Sequence, residues 1–165
     1  MRLTIRTALW RAHVARVAAS TPGLVPVVKG NGYGFGRTWL AAVAAEFADT
    51  IAVGTVHELA GLPAGVTPVV LTPSLVRPDL VAPTAPDPVL TVGNDAHVAA
   101  LAGWSGRVVV KLTSSMRRFG GDAALVGRAR DAGFDVVGVS IHPPIAGTPA
   151  DHAADVTRWL PHVDT

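Results

Sequence analysis

In 165 residues, 49% of them apolar and only 16% charged, there is enough apolar surface for one packed domain, which excludes a disordered chain. The formal net charge is +2 on dispersed arginines, with Arg117-Arg118 the only basic pair, so no electrostatic footprint for nucleic acid is expected. Zero cysteines exclude disulfides and thiolate metal sites, and no apolar run reaches the about 18 residues of a membrane span. Arg2, Arg6, Arg11 and Arg16 interrupt any hydrophobic signal region, and a soluble, cytoplasmic protein without nucleic-acid or membrane partners is expected.

In chain order, Leu3 to Ser20 reads as a short strand feeding a helix. Strand-like apolar runs follow at 24–29, 50–54, 68–72, 88–92, 106–112 and 134–141. Ala-rich amphipathic stretches at Thr38 to Phe47, Asp95 to Ala102, Gly121 to Ala132 and Ala150 to Leu160 suit helices. Asp95 and Asp122 stand near two helix starts, where a carboxylate satisfies free N–H groups. Four prolines between 73 and 87 make that crossover short or irregular. Strand alternating with helix implies a parallel α/β sheet. No linker or internal duplication divides the chain, so residues 1–165 form a single domain.

Lys29 and Lys111 are the only lysines and Tyr33 the only tyrosine, and all three fall in short motifs. Lys29 closes the apolar run Leu24-Val25-Pro26-Val27-Val28 and is followed by Gly30-Asn31-Gly32-Tyr33-Gly34-Phe35-Gly36. A strand thus delivers an amine to a glycine-rich turn, whose positive φ angles would let successive N–H groups converge on an anion, usually phosphate. Phe35 stands where the dinucleotide fingerprint needs glycine, and no Gly-Lys-Ser/Thr follows for a nucleotide loop. An amine beside a phosphate-suited turn without either nucleotide signature points to pyridoxal phosphate. The apolar setting of Val27 and Val28 favours the neutral, nucleophilic amine. His13, His57, His97, His152 and His162 show no metal-ligand spacing, and no metal site is expected. Glu58 reads as an ordinary glutamate of a helix starting near His57.

Val27 to Gly36 resembles the cofactor-lysine motif of alanine racemases, commonly written VKANAYGHG. Lys111-Leu112-Thr113-Ser114-Ser115-Met116-Arg117-Arg118-Phe119-Gly120 is similar to that family's KVDTGMGRLG segment, and Gly138 to His142 to its strand ending in histidine. The segment around Arg118 departs from the pattern, with Thr113 for Asp, Ser114-Ser115 for Thr-Gly, and Arg117 intruding. The resemblance implies a parallel (β/α) barrel of the TIM type with its chemistry at the carboxyl ends of the strands. About six strand–helix units are visible against the eight of a closed barrel, so an incomplete barrel is expected, without the family's C-terminal β-domain.

By the same resemblance, Lys29 holds pyridoxal 5'-phosphate as a Schiff base and is the catalytic base on one face of the substrate. Tyr33 binds its phosphate, Arg118 its ring hydroxyl, His142 lies near its ring, and Lys111, carbamylated in some members, steadies Arg118. In the family the opposite base is a tyrosine from the other subunit's C-terminal domain, and this chain has no tyrosine but Tyr33. The implied function is a pyridoxal-phosphate-dependent amino-acid racemase acting on an alanine-like substrate as a homo-oligomer. A non-catalytic protein of pyridoxal phosphate binding or homeostasis, or an inactive racemase fragment, is the alternative.

Overall fold

The computed structural model describes residues 4–83 and 85–162. Five strands form, β1 (Thr50–Val53), β2 (Thr67–Val70), β3 (Leu90–Val92), β4 (Arg107–Lys111) and β5 (Asp135–Ser140), and every pairing between them is parallel. Thr50 lies opposite Thr67, Leu90 opposite Val108, and Lys111 opposite Ser140, with a bulge between Val108 and Val109. The β1–β2 and β3–β4–β5 ladders join where the Val70 N–H donates to the Val89 carbonyl (2.9 Å) and the Val89 N–H to that of Pro68 (2.8 Å). The strands therefore follow one another in chain order around a single arc. At its first edge, Val27 bridges to Ala52, the Val28 N–H donating to Ala52 and the Ala52 N–H to Pro26, both at 2.8 Å.

The expected strand at 24–29 is reduced to that bridge, because Pro26 has no N–H for a ladder and the chain turns away at Gly30. Residues 4–6 carry no regular structure, and Leu3, where the first strand was expected to begin, lies outside the described residues. Helices α1 (Thr7–Ser20), α3 (Arg37–Ala44), α5 (Asp95–Ala100), α6 (Ala124–Asp131) and α7 (Pro149–Thr157) occupy the amphipathic stretches. Two further helices are single turns, α2 (Lys29–Gly32) and α4 (Pro78–Val81), the latter started by its proline in the proline-rich crossover. Asp122 accepts the Leu125 N–H (3.1 Å), but α5 is capped by Asn94, which accepts from His97 (3.0 Å), and not by Asp95, whose carboxylate pairs with Arg128 (2.7 Å). Among the described residues no helix is long and apolar enough to cross a membrane.

The core fills the space between the sheet and its helices. Ile51, Val53, Val70, Leu90, Val92, Val108 and Val110 are fully buried together with Leu101, Leu125 and Ala129. Along β4, buried Val108 and Val110 alternate with half-buried Arg107, Val109 and Lys111. One face of that strand thus packs on helices, and the face bearing Lys111 looks into the concave side of the arc. No pairing among the described residues joins β5 back to the Val27 segment, so the arc is not a closed barrel.

Candidate functional site

Lys29 leaves the sheet directly after Val28, which is 1% exposed, and enters a tight turn. Gly30 has φ 62° and ψ −136°, and Tyr33 caps the turn in the left-handed region at φ 54°. Gly32 is favoured by its φ of 57° and by crowding, since a Cβ would lie a tight 3.1 Å from both Cα and N of Arg37. The turn spends its N–H groups internally: Gly34 and Gly36 donate to the Asn31 carbonyl and Phe35 to that of Gly32. The convergent N–H cradle expected from the glycines therefore does not form, and recognition of an anion falls to side chains. Phe35 joins Trp10 and Trp39 in a cluster of three rings, with centroids 5.4 Å (Phe35–Trp10), 5.9 Å (Phe35–Trp39) and 5.5 Å (Trp10–Trp39) apart, anchoring the turn to α1 and α3.

Lys111 ends β4 and opens a loop that closes on itself. The Gly121 N–H donates to the Lys111 carbonyl (2.8 Å) and the Thr113 N–H to that of Gly121 (3.1 Å). The loop carries Arg117, Arg118 and Phe119, all exposed. Its two serines tie it down: Ser114 Oγ donates to the His142 carbonyl (2.6 Å), and Ser115 donates through N–H and Oγ to buried Asp155 of α7 (3.0 and 2.6 Å). Trp159 Nε1 donates to the Thr113 carbonyl (3.0 Å). Serines that depart from the family pattern thus bind the Arg118 loop to the strand end carrying His142 and to the last helix.

Lys29, Lys111 and His142 all sit at or just past the carboxyl ends of parallel segments, and their charges meet. Burial, then the positive charges of Lys111, Arg118 and Lys29, hold the His142 imidazole below the usual histidine range. Burial and the Arg118 guanidinium likewise push the Lys111 ammonium down. Lys111, Arg118 and Lys29 thus each act electrostatically on His142 at the carboxyl-end side of the sheet, which we call the cationic mouth. Tyr33 is 62% exposed and shares no hydrogen bond with them.

Two neighbours lacked any signal in the sequence. His97 Nδ1 accepts the Gly93 N–H (3.2 Å) at the end of β3, beside the Lys111 stem, and burial lowers its pKa. Glu58 belongs to one 3₁₀ turn, Val56–Glu58, instead of the expected helix, and its carboxylate accepts the Gly30 N–H. The Ala-rich surroundings of Asp155 likewise read only as a solvated helix.

Parallel strands in chain order, with helices on one face and Lys111 and His142 at or just past strand ends, define the class: an α/β domain of the open, barrel-like kind. Over residues 5–161 the sequence matches the family described as "Alanine racemase, N-terminal domain", and the chain belongs to it. Its fold is similar to that of alanine racemase from Oenococcus oeni (TM-score 0.65, 18% identity, 94% of this chain and 45% of that one). It is also similar to biosynthetic alanine racemase from Pseudomonas aeruginosa (TM-score 0.69, 22% identity, 92% of this chain and 47% of that one). The chain thus spans about half the length of these structures. No curated protein matches the sequence.

Proposed function

We propose that this chain is the pyridoxal-phosphate-binding part of an amino-acid racemase of the alanine type. The observation that carries this reading is that Lys111 ends β4, His142 follows the end of β5 at Ser140, and Lys29 follows the Val27 bridge, so all three leave parallel segments at their carboxyl ends. This donor set fits the group: its cations suit a phosphorylated pyridine, and nothing lies within 4 Å of a Cβ placed on Gly30, Gly34 or Gly36, so the turn leaves open space. Lys29 would hold the cofactor through its amine, Tyr33 would take the phosphate, Arg118 would donate to the ring hydroxyl, and His142 would lie against the ring. Bound pyridoxal phosphate supplies an electron sink that acidifies the α-proton of an amino acid.

Lys29, its amine freed when the substrate amine replaces it on the cofactor, would take that proton from the α-carbon on one face, which requires the neutral amine. Lys111 as an ammonium repels Arg118, and carbamylation would turn it into an attractive partner that steadies that guanidinium. Racemisation also needs a proton donor on the opposite face, and Tyr33 is the only tyrosine in the sequence. That single tyrosine favours a second reading, in which the chain by itself binds the cofactor with little turnover.

The test is borohydride trapping of added pyridoxal phosphate followed by peptide mass mapping. The label is expected on Lys29 and should vanish in Lys29→Ala. A label confined to Lys111, or one unchanged in Lys29→Ala, would overturn the assignment.

A further inference from the structure

We propose that Glu58 is the positioning residue for Lys29, holding in place the backbone from which the lysine projects; this rests on the role of Lys29 proposed above. Glu58 Oε2 accepts the N–H of Gly30, the residue after Lys29, and the N–H of Gly54, the residue after β1, both at 2.9 Å. Its Oε1 accepts from Thr55 Oγ at 3.4 Å. One carboxylate oxygen thus bridges the end of β1 to the start of the Lys29 turn.

Three features make this bridge specific. Gly30 adopts φ 62° and ψ −136°, one of many conformations open to glycine, so a hydrogen bond to its N–H selects this geometry from the others. Hydrogen bonds from N–H groups to a carboxylate are about twice as strong as neutral ones; Glu58 is half-buried, with its bond to Gly54 sheltered and its bond to Gly30 facing solvent. Buried Gly54 leaves room for the carboxylate, since a Cβ there would lie 2.8 Å from Oε1 and 3.2 Å from Oε2. The 3₁₀ turn Val56–Glu58 brings the side chain back over the strand it follows. Without this clamp the fold keeps Lys29 but no longer fixes where its amine points.

The test compares Glu58→Ala, Glu58→Gln and Gly54→Ala with the parent chain. Two readouts are used: the pyridoxal phosphate concentration giving half-maximal borohydride-trapped label on Lys29, and hydrogen exchange at the Gly30 and Gly54 amides. Glu58→Ala and Gly54→Ala are expected to raise that concentration about tenfold or more, as losing charge-assisted hydrogen bonds implies. Both should also speed exchange at Gly30. Glu58→Gln keeps an acceptor oxygen of the same reach, so a smaller shift is expected. Gly54→Ala displaces only the end of a flexible side chain, so it remains informative if Glu58→Ala does not fold. Unchanged Gly30 exchange in folded Glu58→Ala or Gly54→Ala, or an unshifted labelling curve, would overturn the proposal. Should the parent chain fail to label at Lys29, the role of Lys29 falls, while Gly30 exchange still decides the clamp.

Discussion

At the scale of single residues, the three cations around His142 can be probed through that one histidine. The His142 pKa is lowered by burial first and then by Lys111, Arg118 and Lys29, so removing a cation relieves part of that depression. In Arg118→Met and in Lys29→Met the His142 ring is expected to titrate at higher pH than in the parent, read by NMR of its ring protons. Identical midpoints would show that these charges do not meet. Asp155 gives a second test. Its carboxyl is held below the usual range by the Ser115 hydroxyl first, with the Ser115 N–H and Arg158 adding, against the opposing effect of burial. A carboxyl depressed in the folded state contributes stability that is present above its unfolded value and lost as pH falls through its folded value. The Ser115 amide resonance should therefore shift as pH falls below 3.8, and Asp155→Asn should abolish that acid step. A shift that survives in Asp155→Asn would assign the transition elsewhere. Lys29, Lys111, Arg118 and His142 were legible in the sequence because each belongs to a contiguous motif. Glu58 and Asp155 were not, because the contacts that tie them to the site, with the Gly30 N–H and with Ser115, span 28 and 40 residues and leave no local pattern.

Among elements, the apolar runs located β1 to β5 because a parallel sheet covered by helices demands unbroken aliphatic segments. Their lengths were less legible. The run at 24–29 lost its ladder to Pro26 and Gly30, and β3 begins only at Leu90, after Pro86 and Pro88. The loop from 113 to 120 was legible as a motif but not as a closed structure. Its closure depends on Gly120, where a Cβ would lie 2.5 Å from the Leu112 carbonyl carbon and 2.6 Å from the Thr113 nitrogen. Both atoms are backbone, so no side chain can move aside. Gly120→Ala is expected to destabilise the fold by about 1–3 kcal/mol, as overpacking does. Gly127 lies inside α6 with nothing within 4 Å of its Cβ position, so Gly127→Ala should stabilise by about 0.4–1 kcal/mol through helix propensity and the unfolded chain. Urea midpoints of the two variants should move in opposite directions. A Gly120→Ala midpoint at or above that of the parent would show that the Gly120 contact is not a structural constraint.

For the whole molecule, the sheet that positions the mouth is an arc with two edges. Beyond β5 and beyond the Val27 bridge no further strand pairs among the described residues, and Val137 and Val27 are 49% and 36% exposed. Helix α1 lies beside the Val27 edge but buries none of its residues fully. It borders a cavity of about 280 Å³ lined by Trp10, Val14, Val17, Val27, Leu40 and Phe47. Unpaired strand edges next to apolar surface template pairing with another chain. In solution the chain is therefore expected to be a dimer or larger, with the open side covered by a partner copy, or else to lose amide protection promptly at 24–29 and 134–141, since poorly packed edges open locally at low free energy. Light scattering run beside hydrogen exchange separates these outcomes. The edge strands should become protected as concentration drives association, while β3 at the centre of the arc stays protected throughout. A strictly monomeric species with strong protection at both edges would mean that local elements cover them, and the open arc would not describe the protein in solution.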